Sequence, residues 1–182
     1  MKKHTVPFPR SYWVLPGKFL AGYYPGSRDP ATTQEKLKSL LKHGVHQIIN
    51  LMETGEENFQ GEKFVPYENQ LQTMAREMDI SVEVVHTPIQ DMKIPPMEVM
   101  VSILDEIDRA IEHNPAVYLH CWAGRGRTGT VVGCFLARHG MAGGEAALDL
   151  LEELRQNDPI SHLPSPETRI QAEFVRKWPK GT

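Results

Sequence analysis

The densest chemistry in this 182-residue chain is the stretch His120-Cys121-Trp122-Ala123-Gly124-Arg125-Gly126-Arg127-Thr128-Gly129. A short apolar run, Ala116-Val117-Tyr118-Leu119, precedes it and a helical pattern follows from Thr128. A buried strand thus delivers a cysteine into a glycine-containing turn that opens a helix. Backbone N–H groups at a helix N-terminus are unpaired and sit at the positive end of the helix dipole. A loop of Trp122, Ala123, Gly124, Arg125 and Gly126 curling into that terminus can aim several N–H groups at one anion, and its glycines permit the curl. Arg127, at the helix start, can fork onto two oxygens of a phosphate. Thiols held near arginine at a helix N-terminus ionise readily, and the expectation is that Cys121 acts as the nucleophile beneath the bound phosphorus. Thr128 could hydrogen-bond the sulfur and help it leave again.

Other readings of the same residues are weaker. Gly124-x-Gly126-x-x-Gly129 matches a dinucleotide-binding fingerprint, but no strand with an acidic end follows; the chain continues into the helical Gly143-Gly144-Glu145-Ala146-Ala147-Leu148. A Walker loop would need lysine where Thr130 stands. A cysteine buried at a strand end for packing alone would not need two glycines and an arginine six positions on.

The elements that must position this loop follow from periodicity. Tyr12-Trp13-Val14 and Phe19 to Tyr23 flank Pro16-Gly17 as a hairpin. Thr32 and Glu35 form a capping-box signal for a helix bearing Leu37, Leu40 and Leu41, which Gly44 ends. Val45 to Leu51 reads as a buried strand, residues 66–79 as a helix, and Val82 to Val85 as another buried strand. After Pro95-Pro96 a long helix carries Met97, Met100, Val101, Leu104, Ile107 and Ile111, and Ser165-Pro166 starts a last helix with Ile170, Phe174 and Trp178 inward. Strands alternating with helices predict an α/β fold, a central mostly parallel sheet flanked by helices on both faces. Ligands then sit beyond the carboxyl ends of strands, in the loops after Val85 and after Leu119. Expelling an alkoxide or phenolate from phosphorus needs a proton, and Asp91 in Thr87-Pro88-Ile89-Gln90-Asp91-Met92-Lys93-Ile94-Pro95-Pro96 is the carboxyl on the first of those loops. Asp29, before Pro30, is the reserve candidate, though turn chemistry explains it better.

His-Cys-x5-Arg-Thr-Gly resembles the signature of the cysteine-dependent protein tyrosine phosphatases, and the chain's size resembles their dual-specificity branch. The resemblance implies attack by Cys121, a phosphocysteine intermediate and its hydrolysis, with neither metal nor other cofactor. It implies that His120 orders the loop and supports the reactive thiol, that Asp91 is the general acid, and that Gln171 helps to place the hydrolytic water. Where the tyrosine-specific branch has two glutamines, this chain has Glu167 and then Gln171. Arg125 is reminiscent of the phosphoinositide-directed branch, where an added cation favours substrates with several phosphates; Trp122 and Arg125 are read as variable walls of the pocket. The expected partner is a phosphorylated protein or small phosphoester. Phosphoinositide or inositol phosphate hydrolysis, a non-catalytic phospho-binding module and sulfur transfer are the competing readings.

Composition agrees with a single catalytic domain over residues 1–182. Hydrophobic residues make up 40% of the chain, enough for a core, and the net charge of −3 argues against a general nucleic-acid binder. Two cysteines are too few for a disulfide scaffold, and Cys134 reads as core packing. The charged opening residues lack a following apolar stretch, and no apolar run is long enough for a membrane span, so a cytoplasmic location is expected. Histidines 43, 46, 86, 113, 139 and 162 share no ligand spacing, so no metal site is expected.

Overall fold

The computed structural model describes residues 5–113 and 115–182; the charged opening residues 1–4 lie outside it. Five strands form one sheet: β1 (Ser11–Leu15), β2 (Phe19–Tyr23), β3 (Val45–Asn50), β4 (Glu83–His86) and β5 (Ala116–Cys121). Their spatial order is β1-β2-β5-β3-β4, antiparallel only between β1 and β2 and parallel elsewhere. The helices are α1 (Pro30–Lys42), α2 (Glu68–Glu77), α3 (Met97–His113), α4 (Gly126–Arg138), α5 (Glu145–Leu154) and α6 (Arg169–Arg176).

The central strand β5 explains the layering. Its side chains alternate, as strand geometry requires. Val117, Leu119 and Cys121 join the core beneath α3, α4 and α5, while Ala116 and Tyr118 join a second core with Leu37, Leu40 and Leu71 from α1 and α2. The same alternation turns His120 toward the α2 side, against Tyr67. All six residues of β5 are buried, whereas β4 is only half-buried because it is the outer strand of the sheet. That corrects the expectation of a second buried strand.

Helix α4 packs against α3, α5 and α6, and it carries glycine where neighbours come close. A Cβ on Gly133 would lie 2.6 Å from Val175 Cγ1, so α6 can dock onto α4 only at a residue without one.

Two helix starts differ from the periodic reading. Asp29, not Thr32, caps α1: its carboxylate accepts from Ala31 N at 3.3 Å and Thr32 N at 3.0 Å, with Pro30 in the first helical position. Proline there has its φ pre-set, so the helix begins one turn earlier than a Thr32–Glu35 box would start it. The cap bonds hold the Asp29 carboxyl below its ordinary range, chiefly through the Thr32 hydroxyl. Helix α6 likewise starts at Arg169, after a Thr168–Gln171 capping box, not at Ser165-Pro166. The later start leaves Ile170 exposed and turns Gln171, Val175 and Trp178 inward. Among the described residues, no helix is long and apolar enough to cross a membrane.

Candidate active site

The loop between β5 and α4 is built by tying its carbonyls to the scaffold. Trp122 O accepts from Tyr24 N at 3.1 Å, Ala123 O from Arg10 Nη2 at 2.8 Å, and Arg125 O from Gly129 N at 3.1 Å and Ser165 Oγ at 2.8 Å. In a trans peptide the N–H points opposite to the C=O. The N–H groups of Ala123, Gly124 and Gly126 are therefore directed away from those scaffold partners, into the loop. Gly124 adopts φ +70°, and a Cβ there would meet the backbone of Gly22 and Tyr23 at 2.6–2.7 Å. A larger residue would be both strained and obstructed, so the curl needs glycine at this position.

Cys121 lies buried at the base of the loop, and Thr128 Oγ1 is 3.1 Å from its Sγ. Cys134 is buried in α4, its thiol pushed up by burial, in keeping with a packing role.

Arg127 is almost wholly enclosed and is held from two loops. Its Nη1 and Nη2 donate to Glu56 Oε2 and Oε1 at 2.6 and 2.7 Å, Nη1 also donates to Ile89 O at 3.1 Å, and Nη2 lies 3.0 Å from Asp91 Oδ1. Burial alone would discourage the charge, but Glu56, Cys121 and Asp91 together hold the guanidinium protonated above its usual range. The fork expected to meet a phosphate is thus occupied by Glu56. Nε, which is buried, has no hydrogen-bond partner among the described residues. Glu56 lies in the loop after β3, a third strand end at the same edge of the sheet as the loops after Val85 and Leu119, and that position is its signal in the sequence.

Asp91 is the first central residue of a turn closed by Lys93 N donating to Gln90 O at 3.1 Å. The next residue, Met92, adopts φ +63°, a conformation that favours glycine. Gln171, fully buried, accepts from Thr168 N through Oε1 at 3.1 Å and donates from Nε2 to Lys93 O at 3.1 Å. Both polar ends of this side chain are therefore engaged with backbone.

Arg125 departs from the expectation of an added cation free to meet a substrate. Its guanidinium is paired with the Glu167 carboxylate, and neither group is well exposed. The cleft above Cys121 has a volume of about 280 Å³, and its apolar walls are Phe59, Trp122, Ile160 and Leu163. Trp122 meets Phe59 edge-on at 4.7 Å between ring centroids and also touches Phe64. Phe59 is 81% exposed, an aromatic ring at the mouth of the cleft.

His120 is fully buried, and burial drives its pKa down to about 3. Tyr67, its phenol pushed well up by burial, stays protonated and donates to His120 Nε2 at 2.7 Å. The imidazole is therefore neutral with its proton on Nδ1, which lies 3.3 Å from Cys121 O. The unfolded chain protonates this histidine near pH 6.5 but the folded protein does not until about pH 3. The unfolded state thus binds more protons between those values, and stability falls as pH falls through that window. The slope from this residue is up to about 1.4 kcal/mol per pH unit. Urea denaturation at pH 7 and pH 5 is expected to show that component in the wild type and to lose it in His120→Asn.

Among the described residues, no group of three or more His, Cys, Asp or Glu side chains is placed to hold a metal ion.

A sheet of this order with a cysteine loop feeding α4 is the fold of the cysteine-dependent, dual-specificity-type phosphatases. The solved structure of Tk-PTP in its active form superimposes with a TM-score of 0.67 at 23% identity, covering 94% of this chain and 97% of that one. PTPMT1 in complex with PI(5)P superimposes with a TM-score of 0.62 at 16% identity, over 92% of this chain and 96% of that one. An uncharacterised protein of Methanocaldococcus jannaschii is 30% identical over 104 residues; the match covers 57% of this chain and 65% of that protein, just under two thirds of its length. Residues 24–141 match the family model described as "Polymorphic toxin system, DSP-PTPase phosphatase", and the chain belongs to that family.

Proposed function

We propose that this protein hydrolyses phosphate monoesters through a phosphocysteine intermediate, with aryl phosphates as its preferred class. The observation that carries this reading is convergence: Cys121 and Asp91 line one cleft, and Arg127 reaches from the first turn of α4 to Asp91. In this reading the phosphate accepts hydrogen bonds from the inward loop N–H groups and from Arg127 Nε. It also takes the Nη2 hydrogen that faces Asp91, which frees the Asp91 carboxyl to meet the leaving oxygen.

Cys121 Sγ then attacks phosphorus; the S–P bond forms as the P–O bond breaks, and Asp91 gives its proton to the departing oxygen. The loop N–H groups and Arg127 stabilise the equatorial oxygens in the transition state. In the second half Asp91 takes a proton from water, the water oxygen attacks phosphorus, and the S–P bond breaks. The thiolate leaves with a hydrogen bond from Thr128 Oγ1, and inorganic phosphate is released. Glu56 holds the Arg127 terminal nitrogens so that Nε faces the anion. His120 holds the Cys121 carbonyl.

The cleft walls support the aryl class. Phe59, Trp122, Ile160 and Leu163 offer apolar surface to a ring. Arg125 is neutralised by Glu167, and Arg10 is committed to the Ala123 carbonyl and the Tyr23 ring. Neither partner of Arg10 is an anion, so Arg10 keeps its charge. With Arg125 compensated, that is the one free cation among the described residues of the lining, and it stands beside apolar rings. The combination suits phosphotyrosine-like esters better than inositol polyphosphates.

The test is hydrolysis of phenyl phosphate and of inositol hexakisphosphate, with EDTA present, between mildly acidic and neutral pH. Phenyl phosphate is expected to be turned over, unaffected by the chelator, and Asp91→Asn to lower its kcat/KM by about 10²–10⁴-fold. Preference for the inositol polyphosphate would overturn the substrate assignment, and no release from either would overturn the activity.

A further inference from the structure

The loop carrying Asp91 is tied down unevenly. Upstream of the aspartate, Ile89 N donates to Leu51 O at 3.0 Å and Ile89 O accepts from Arg127 at 3.1 Å. Downstream, Met92 and Ile94 are exposed and Met92 occupies the left-handed backbone region that L side chains resist. On that side Lys93 O is tethered from outside the loop by a hydrogen bond from Gln171 Nε2, across 78 residues of sequence. The orientation of the Gln171 amide is dictated by its partners. Thr168 N–H requires an acceptor and Lys93 C=O a donor, so oxygen faces the first and nitrogen the second.

We propose that Gln171 is a positioning residue for the proton-transfer step: its side-chain amide fixes the turn that presents Asp91 to the Cys121 cleft. The inference rests on the reading of Asp91 as the proton donor. Gln171 thereby serves two elements with one side chain, closing the cap of α6 with its oxygen and holding the acid loop with its nitrogen. The role differs from placing a water molecule, because it acts on the step that expels the leaving group and not on hydrolysis of the intermediate.

Gln171→Glu separates the two functions. A glutamate keeps an acceptor for Thr168 N, as capping boxes allow, but in its ionised form offers no donor to Lys93 O. Two esters would be compared: phenyl phosphate, whose leaving group needs a proton, and dinitrophenyl phosphate, whose leaving group does not. For Gln171→Glu, kcat/KM is expected to fall about ten-fold on the first ester and less than about two-fold on the second. In an Asp91→Asn background the Gln171→Glu loss on phenyl phosphate is expected to vanish, because the two residues act on the same proton. Gln171→Met, which removes both polar ends at similar volume, is the second variant, with the same expectation. Thr168→Ala weakens only the cap; it is expected to lower Tm without producing the leaving-group dependence.

Equal losses on both esters, additive losses in the double variant, or rapid-quench accumulation of phosphoenzyme in Gln171→Glu would overturn the proposal. So would the same leaving-group pattern in Thr168→Ala. The Asp91→Asn variant alone distinguishes the deeper failure: if it loses equally on both esters, the proton-donor reading falls and the role of Gln171 falls with it.

Discussion

Replacement of Cys121 by serine is expected to lower kcat/KM for phenyl phosphate by about 10⁴-fold or more while leaving binding of inorganic phosphate close to wild type. Serine is a weak nucleophile unless a general base takes its proton, and in the first half-reaction Asp91 is the acid, not the base. Thr128 Oγ1 lies 3.1 Å from the sulfur but its hydroxyl already donates there. The neighbouring His120 is buried and neutral, with Nε2 accepting from Tyr67 and its Nδ1 proton facing the Cys121 carbonyl. Binding survives because the anion is held by groups the substitution does not touch, the loop N–H groups and Arg127. Isothermal titration with phosphate, alongside a phosphate-release assay, reads both halves. Substantial turnover by Cys121→Ser would exclude covalent catalysis through this residue.

The second large effect is at Arg127, where catalysis and stability can be pulled apart. Arg127→Lys keeps a cation beside the Glu56 carboxylate but lacks the Nε and the planar fork. It is expected to cost about 10³-fold in kcat/KM, at the lower end of what removing an arginine from a phosphoryl-transfer site costs. Its unfolding midpoint in urea should stay near that of the wild type. Arg127→Met strands Glu56, whose side chain is only 9% exposed. Leaving one member of a buried ion pair uncompensated is expected to destabilise the fold by about 3–5 kcal/mol. Adding Glu56→Gln to Arg127→Met should then restore much of that stability without restoring turnover. An Arg127→Lys variant as active as the wild type would remove this residue from the reaction.

What the chain reveals before folding is governed by the range of the interactions involved. The hairpin, the β5 strand, the long helix α3 and the Cys121 loop are written in residues close in sequence, where period and turn chemistry suffice. Helix starts were harder because two competent signals stood within one turn of each other. Asp29-Pro30 prevailed over Thr32 because proline sets the first helical residue, and the Thr168–Gln171 box prevailed over Ser165-Pro166 with both halves satisfied.

The site residues that periodicity and motif do not mark act over long separations. Glu56 meets Arg127 across 71 positions from an irregular loop with no period to mark it. The state of Arg125 depends on Glu167, on the segment leading into α6, and the burial of Gln171 on the docking of that helix against Gly133. Such pairings are decided by tertiary packing, so residue type alone points Arg125 toward a substrate phosphate although its partner is another part of the chain.

A phosphoryl group on Cys121 is the most direct signature of this chemistry. Wild-type protein would be mixed with phenyl phosphate, quenched in acid within milliseconds, digested and examined by mass spectrometry. One phosphoryl group on the peptide that contains Cys121, absent from the Cys121→Ser protein, is the predicted result. Steady turnover with no phosphoryl group on that peptide at any quench time, or with the label on another residue, would contradict it.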